Sequence, residues 1–106
     1  MCIRDSSWVL REVPLASKEL GTTESYRSLY FAGDTAYRAV PKIDPTPEEE
    51  AGYPHCPAFS QVGTVFGPFD LALLPIGLFL PRNFMSAIHC SPEDSALVHK
   101  DIKAKR

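Results

Sequence analysis

The hydrophobic residues of this chain fall into runs that predict three β-strands. The segments 6–13 (SSWVLREV) and 26–33 (YRSLYFAG) carry aromatic and aliphatic residues over a strand's length, which is typical of β-structure. The segment 69–77 (FDLALLPIG) is a continuous apolar run, as expected for an interior strand that is covered on both faces. Gly33 and Gly77 end the second and third predicted strands.

Two other segments have the spacing of helices. Phe59, Val62 and Phe66 recur at offsets of three and four, which places them on one face of a short helix. Downstream, Ser91 is a predicted N-cap and Pro92 a first helical residue, and acidic residues follow where the helix dipole favours negative charge. The predicted order is strand, strand, helix, strand, helix, which indicates a mixed α/β fold.

Two segments are expected to lie outside the folded core. Residues 40–54 are rich in proline and glutamate, and this composition predicts a surface insertion. The opening hexapeptide MCIRDS (residues 1–6) is interpreted as a non-native leader. The remaining residues, 7–106, allow at most one small domain.

Charge and cysteine content narrow the classes of function. The net charge is −2, and Lys and Arg are mixed with Asp and Glu along the chain, so no basic surface for nucleic acid is predicted. The three cysteines are odd in number and lack C-x-x-C spacing, which favours reduced thiols over a disulfide scaffold or zinc knuckle. The longest apolar run, residues 71–80, is about half the length of a membrane span.

Candidate chemistry lies where predicted strands and loops end. Asp34 directly follows Gly33 at a strand end, where an aspartate either stabilises a turn or binds a ligand. His89 precedes a helix N-cap, where a histidine either fills a boundary position or acts chemically. His55 and His99 lie far from other ligand types and are predicted to be structural. The motifs of dinucleotide, phosphate-loop and serine-hydrolase sites do not occur in the sequence.

Four separated segments together resemble the C-terminal half of the N-acyl-phosphatidylethanolamine-hydrolysing phospholipase D family, within the metallo-β-lactamase superfamily. They are YFAGDTAYR (30–38), CPAFSQVGTVFGPFDLALLPIG (56–77), LPRNFMSAIHCSPED (80–94) and VHKDIKAKR (98–106). The Pro- and Glu-rich insertion resembles that of fungal members. The resemblance implies that residues 7–106 are the second half of an αββα metallo-β-lactamase sandwich.

The same resemblance implies an enzyme. The full-length protein would be a zinc-dependent hydrolase that converts N-acyl-phosphatidylethanolamine to an N-acylethanolamine and a phosphatidic acid. Asp34 matches the aspartate that bridges two zinc ions, and His89 matches an active-site histidine that contacts the substrate or leaving group. Arg82 matches a Pro-Arg pair, for which a phosphate contact and an ion pair that holds the loop are both open. A phospholipid substrate and peripheral membrane contact are the implied partners.

The chain also departs from the family pattern. The family's H-x-H-x-D-H metal motif does not occur here, so we expect this chain alone to be an inactive fragment. Asn83 replaces the family's tryptophan, and residues 78–80 replace a more polar stretch. Two alternatives stay open: another hydrolase of the same fold, such as a lactonase or nuclease, and a non-catalytic α/β interaction module.

Overall fold

The computed structural model describes residues 7–14 and 26–106, so the predicted leader lies outside the described residues. The structure has a three-stranded sheet and helices, which confirms the mixed α/β class. The strands and helices in chain order are β1 (Trp8–Pro14), β2 (Tyr26–Phe31), α1 (Pro47–Ala51), α2 (Ala58–Val65), β3 (Leu71–Leu73), α3 (Arg82–Met85) and α4 (Pro92–Asp101).

The sheet has the order β1-β2-β3. Strand β1 is antiparallel to β2, with Trp8 opposite Phe31, whereas β3 is parallel to β2, with Leu73 opposite Phe31. Because β2 and β3 run in the same direction, their carboxyl ends meet at one edge of the sheet. In α/β sheets this edge is where ligands bind.

One face of the sheet is buried and the other is open in the described part of the chain. Tyr30 is fully buried and its ring lies 5.4 Å from that of Phe69. On the opposite face Leu71 and Leu73 are 44% and 47% exposed, because side chains alternate along a strand and the described core lies on one side. Within the described residues the second face of β3 is therefore uncovered, and the strand is shorter than predicted.

Helices α2 and α4 pack closely beneath the sheet. Phe59 of α2 and Val98 of α4 are buried in the same core, as is Ile102 directly after α4. Gly63 permits the close approach, since an added Cβ would lie only 2.1 Å from the carbonyl oxygen of Asp101. At the start of α4, Ser91 Oγ accepts a hydrogen bond from the backbone N–H of Asp94 at 3.1 Å, which confirms the predicted N-cap.

The Pro- and Glu-rich insertion contains helix α1, which has no buried residue. A capping box forms its first turn: Thr46 Oγ1 accepts from the Glu49 N–H, and the Glu49 carboxylate accepts from the Thr46 N–H at 2.9 Å. Local hydrogen bonds therefore stabilise the start of this helix, which has no core of its own.

The cysteines differ in state. Cys90 is a free, buried thiol, as expected. Cys56 is disulfide-bonded, so the expectation of three reduced thiols is wrong. In the parts of the chain that are described, every helix is too short or too polar to cross a membrane.

Candidate functional site

A cleft of about 560 Å³ opens at the edge of the sheet where β2 and β3 end. Its lining residues come from the ends of both strands: Phe31, Gly33, Asp34, Ala72, Leu73, Leu74 and Pro75. The backbone N–H of Ala32 donates to the Leu73 carbonyl at 3.1 Å, which extends the pairing of the two strands to the rim of the cleft. Two neighbouring parallel strands thus form the walls of the cleft.

Gly33 turns the chain out of β2 and brings Asp34 to the cleft. Its φ of 64° lies in the left-handed region, which glycine adopts without steric cost. Asp34 is exposed, and within the described residues its carboxylate makes no hydrogen bond or ion pair. The fold therefore presents this carboxylate to the cleft and to solvent.

His89 lies in the loop between α3 and α4 and is half-buried. Its backbone N–H donates to the Met85 carbonyl at 2.8 Å. The next residue, Cys90, donates its thiol hydrogen to the carbonyl oxygen of Thr35 at 3.2 Å, and Thr35 directly follows Asp34. The structure therefore joins the two loops that carry Asp34 and His89, although His89 does not line the cleft.

A second contact holds the same two loops together. Ser86, directly after α3, accepts a hydrogen bond from the Val40 N–H at 2.7 Å, and its hydroxyl donates to the Val40 carbonyl at 3.3 Å. Both residues are buried. The loop of His89 is thus fixed to the segment that follows Asp34 at two separate points.

Arg82 begins α3 and is only 4% exposed. Its guanidinium donates to the Glu50 carboxylate at 2.7 Å and to the Asp94 carboxylate at 2.8 Å. Burial alone would lower the pKa of Arg82, but the hydrogen bonds to Glu50 and Asp94 outweigh burial and raise it. Arg82 therefore forms ion pairs that hold its loop, and a phosphate contact stays a prediction.

A metal ion would need more ligands than this site supplies. No three His, Cys, Asp or Glu side chains in residues 7–14 and 26–106 are placed to hold one together. A zinc ion needs about three or four protein ligands, and the cleft offers the single carboxylate of Asp34. The described residues therefore do not fit a zinc site by themselves.

Sequence reasoning missed the parts of the site that depend on long-range contacts. Glu50 is the last of three consecutive glutamates, and nothing in that run distinguishes the one that reaches Arg82. Ser86 and Cys90 likewise have no motif that marks their partners. The N-cap at Ser91 is a local signal in the sequence, but it marks the start of a helix and not a contact between loops.

Comparisons with known proteins show that the chain is similar to part of a named enzyme and to part of uncharacterized mycobacterial proteins. The chain is 35% identical over 79 residues to N-acyl-phosphatidylethanolamine-hydrolyzing phospholipase D 1 of Caenorhabditis elegans, a match over 74% of this chain and 17% of that protein. Uncharacterized proteins of Mycobacterium bovis and Mycobacterium tuberculosis are 34% identical over 73 residues, or 69% of this chain and 14% of theirs. The chain thus matches less than a fifth of the length of these relatives. No family model matches the chain.

Proposed function

We propose that this chain is part of a longer hydrolase of the metallo-β-lactamase family, and that the full-length enzyme hydrolyses N-acyl-phosphatidylethanolamine to an N-acylethanolamine and a phosphatidic acid. The observation that carries the proposal is the 35% identity over 79 residues to the C. elegans phospholipase D. The described sheet and helices would form the second half of an αββα sandwich. The position of Asp34 in a cleft at the ends of two parallel strands supports this assignment.

In this proposal Asp34 supplies one carboxylate to a centre of two zinc ions. A carboxylate has two oxygens, so one side chain can contact two cations, and the exposed Asp34 carboxylate is free to do so. Since the described residues do not complete such a centre, the other ligands would come from elsewhere in the full-length protein. Bound zinc would supply a hydroxide nucleophile near neutral pH.

His89 would serve as the catalytic histidine. An imidazole can donate a hydrogen bond to a phosphoryl oxygen or a proton to a departing alkoxide. The link between Cys90 and Thr35 supports the assignment, because it keeps the loop of His89 beside the loop of Asp34. His89 would reach the substrate once the rest of the enzyme completes the cleft.

Apolar side chains beside the cleft support a phospholipid substrate and peripheral membrane contact. Pro75 lines the cleft, and the chain that follows it exposes four large apolar residues to solvent. These are Ile76, Leu78, Leu80 and Phe84, each more than 60% exposed. Exposed apolar side chains in the segment that follows a cleft-lining residue suit acyl chains better than a water-soluble substrate.

The test is the reaction itself. The full-length protein is expressed, loaded with zinc and assayed on vesicles that contain N-acyl-phosphatidylethanolamine, with both products measured by mass spectrometry. We expect hydrolysis by the wild type, and loss of most activity and at least one zinc in Asp34→Asn. The control is Asp44→Asn, which changes an exposed aspartate of the insertion. A zinc-loaded wild type that leaves the lipid intact would overturn the proposal.

A further inference from the structure

Four charged side chains form one cluster, which we call the ionic quartet: Arg38, Glu50, Arg82 and Asp94. Nε and Nη2 of Arg82 donate to the two oxygens of Glu50 at 2.7 and 3.3 Å, and Nη2 also donates to Oδ2 of Asp94 at 2.8 Å. The Nε atom of Arg38 lies 3.2 Å from Oδ1 of Asp94. Two positive and two negative charges therefore compensate each other.

The ionic quartet is removed from water. The side chains of Arg82, Asp94 and Arg38 are 4%, 2% and 7% exposed, and that of Glu50 is 21% exposed. Charge-assisted hydrogen bonds in such a setting are strong and directional, and the forked guanidinium fixes the orientation of its partners. The quartet therefore constrains the segments from which its members come.

Each member of the ionic quartet belongs to a different segment. Arg38 lies in the segment that follows Asp34, and Glu50 lies in α1 of the insertion. Arg82 begins α3 and Asp94 lies in the first turn of α4, so these two residues enclose the loop of His89. The quartet thus holds both ends of the His89 loop against the insertion and against the Asp34 segment.

We propose that Glu50 is a positioning residue for hydrolysis, which acts through Arg82 to fix the loop that presents His89. The inference rests on the proposed function, and it gives a part in turnover to a residue of the insertion that does not line the cleft. Without the negative charge of Glu50, Arg82 keeps Asp94 as its ionic partner, but its Nε–H loses a charged acceptor and the two-oxygen contact with Glu50 is lost. The His89 loop then gains freedom, and a shift of about 1 Å in a catalytic group can cost a factor of about 100 in rate.

The experiment compares two neighbouring glutamates of α1 in the full-length protein. Glu50→Gln removes the charge that pairs with buried Arg82, whereas Glu49→Gln removes the charge that pairs with exposed Lys42 at 2.7 Å. In Glu49→Gln, the glutamine keeps the side-chain oxygen that the capping box needs. We expect kcat to fall by about 10- to 100-fold in Glu50→Gln, with KM changed by less than about twofold, and no change in Glu49→Gln. Glu50→Asp keeps the charge and recovers part of kcat.

A second measurement is independent of turnover. Cys90 is a free and buried thiol next to His89, so its rate of alkylation in the native protein reports opening of the His89 loop. Peptide mass spectrometry identifies the site of alkylation. We expect Cys90 to be alkylated faster in Glu50→Gln than in the wild type or in Glu49→Gln.

The outcomes separate this inference from the proposed function. Equal kcat in Glu50→Gln and Glu49→Gln, with equal alkylation of Cys90, overturns the positioning role. The positioning role is also overturned if the lower kcat of Glu50→Gln is explained by a smaller fraction of folded protein and Glu50→Asp recovers no kcat. If Glu50→Gln does not fold, kcat and Cys90 alkylation are measured in Arg82→Lys, which lacks the forked guanidinium that binds Glu50. Wild-type values of both in that variant then overturn the positioning role. A wild type that leaves N-acyl-phosphatidylethanolamine intact overturns the proposed function, and Cys90 alkylation then still decides whether Glu50 holds the loop.

Discussion

The thiol of Cys90 donates a hydrogen bond of 3.2 Å to the carbonyl oxygen of Thr35. The two residues are 55 positions apart in the sequence, and each directly follows a candidate site residue, His89 or Asp34. This bond between a side chain and a backbone carbonyl holds side by side two loops that connect different secondary-structure elements. The exposure of the Cys90 thiol therefore reports whether the two loops are in contact.

The first prediction concerns pH. Burial, with a smaller contribution from the Asp94 charge, raises the pKa of Cys90 from 9.0 to about 12. In the unfolded chain the thiol ionises at the lower value, so the unfolded state binds fewer protons between about pH 9 and pH 12. The stability that Cys90 contributes is therefore complete below pH 9 and is lost as pH rises to 12. Urea unfolding of the full-length protein at several pH values should show this decrease.

The matched variant for the pH experiment is Cys90→Ala, which removes the titrating group. Its free energy of unfolding should fall less steeply between pH 9 and pH 12 than that of the wild type. Tyr37 retains a raised pKa in both proteins because of burial and its hydrogen bond to Asp101, so some decrease remains. Identical slopes in the two proteins would contradict the prediction.

The second prediction concerns Asp94, which lies between two guanidinium groups. Asp94→Asn leaves the buried Arg38 and Arg82 with one carboxylate fewer, and breaking a buried ion pair from one side costs about 3–5 kcal/mol. The loss is measured as the free energy of unfolding of the full-length protein in urea. Glu49→Gln, which breaks an exposed pair, should lower the free energy of unfolding far less, because solvent screens that pair. Similar losses in both variants would show that burial of the ionic quartet has no energetic consequence.

The third prediction separates the roles of the two site residues. His89→Asn in the full-length protein should lower turnover by roughly 10- to 10,000-fold, the range expected when a general acid or hydrogen-bond donor to the transition state is lost. Its zinc content should stay near that of the wild type, whereas Asp34→Asn should lose zinc. Metal analysis of purified protein measures the difference. Zinc loss in His89→Asn with full zinc in Asp34→Asn would reverse the two assignments.

The fourth prediction concerns the isolated chain of 106 residues. It should not bind two equivalents of zinc with submicromolar affinity, because its described residues supply no group of three ligands. It should also leave N-acyl-phosphatidylethanolamine intact. Calorimetric titration with zinc and a product assay test both statements. Tight binding of two zinc ions together with product release would show that this chain is a complete enzyme.

The sequence predicts the elements whose signals are local. Helix α4 follows from Ser91 and Pro92, and α2 from the spacing of Phe59 and Val62. Helix α1 was missed, because the proline and glutamate content of the insertion obscured the Thr46 and Glu49 capping box. Four-residue α3 is too short to show a helical period.

The candidate site is predictable only in part for the same reason. The position of Asp34 follows from one local feature, a glycine at the end of a strand. The contact between Ser86 and Val40, and the choice of Glu50 as partner of Arg82, depend on how distant segments pack. Hydrophobic periodicity contains no information about such pairings.

The absence of a side chain at Gly63 affects a residue near the candidate site in the sequence. An added methyl group would press on the carbonyl of Asp101, whose carboxylate accepts a hydrogen bond of 2.9 Å from the Tyr37 hydroxyl. Tyr37 lies only three residues beyond Asp34 in the chain. Any larger residue at position 63 would therefore force α2 and α4 apart and disturb the residue that holds the Tyr37 hydroxyl.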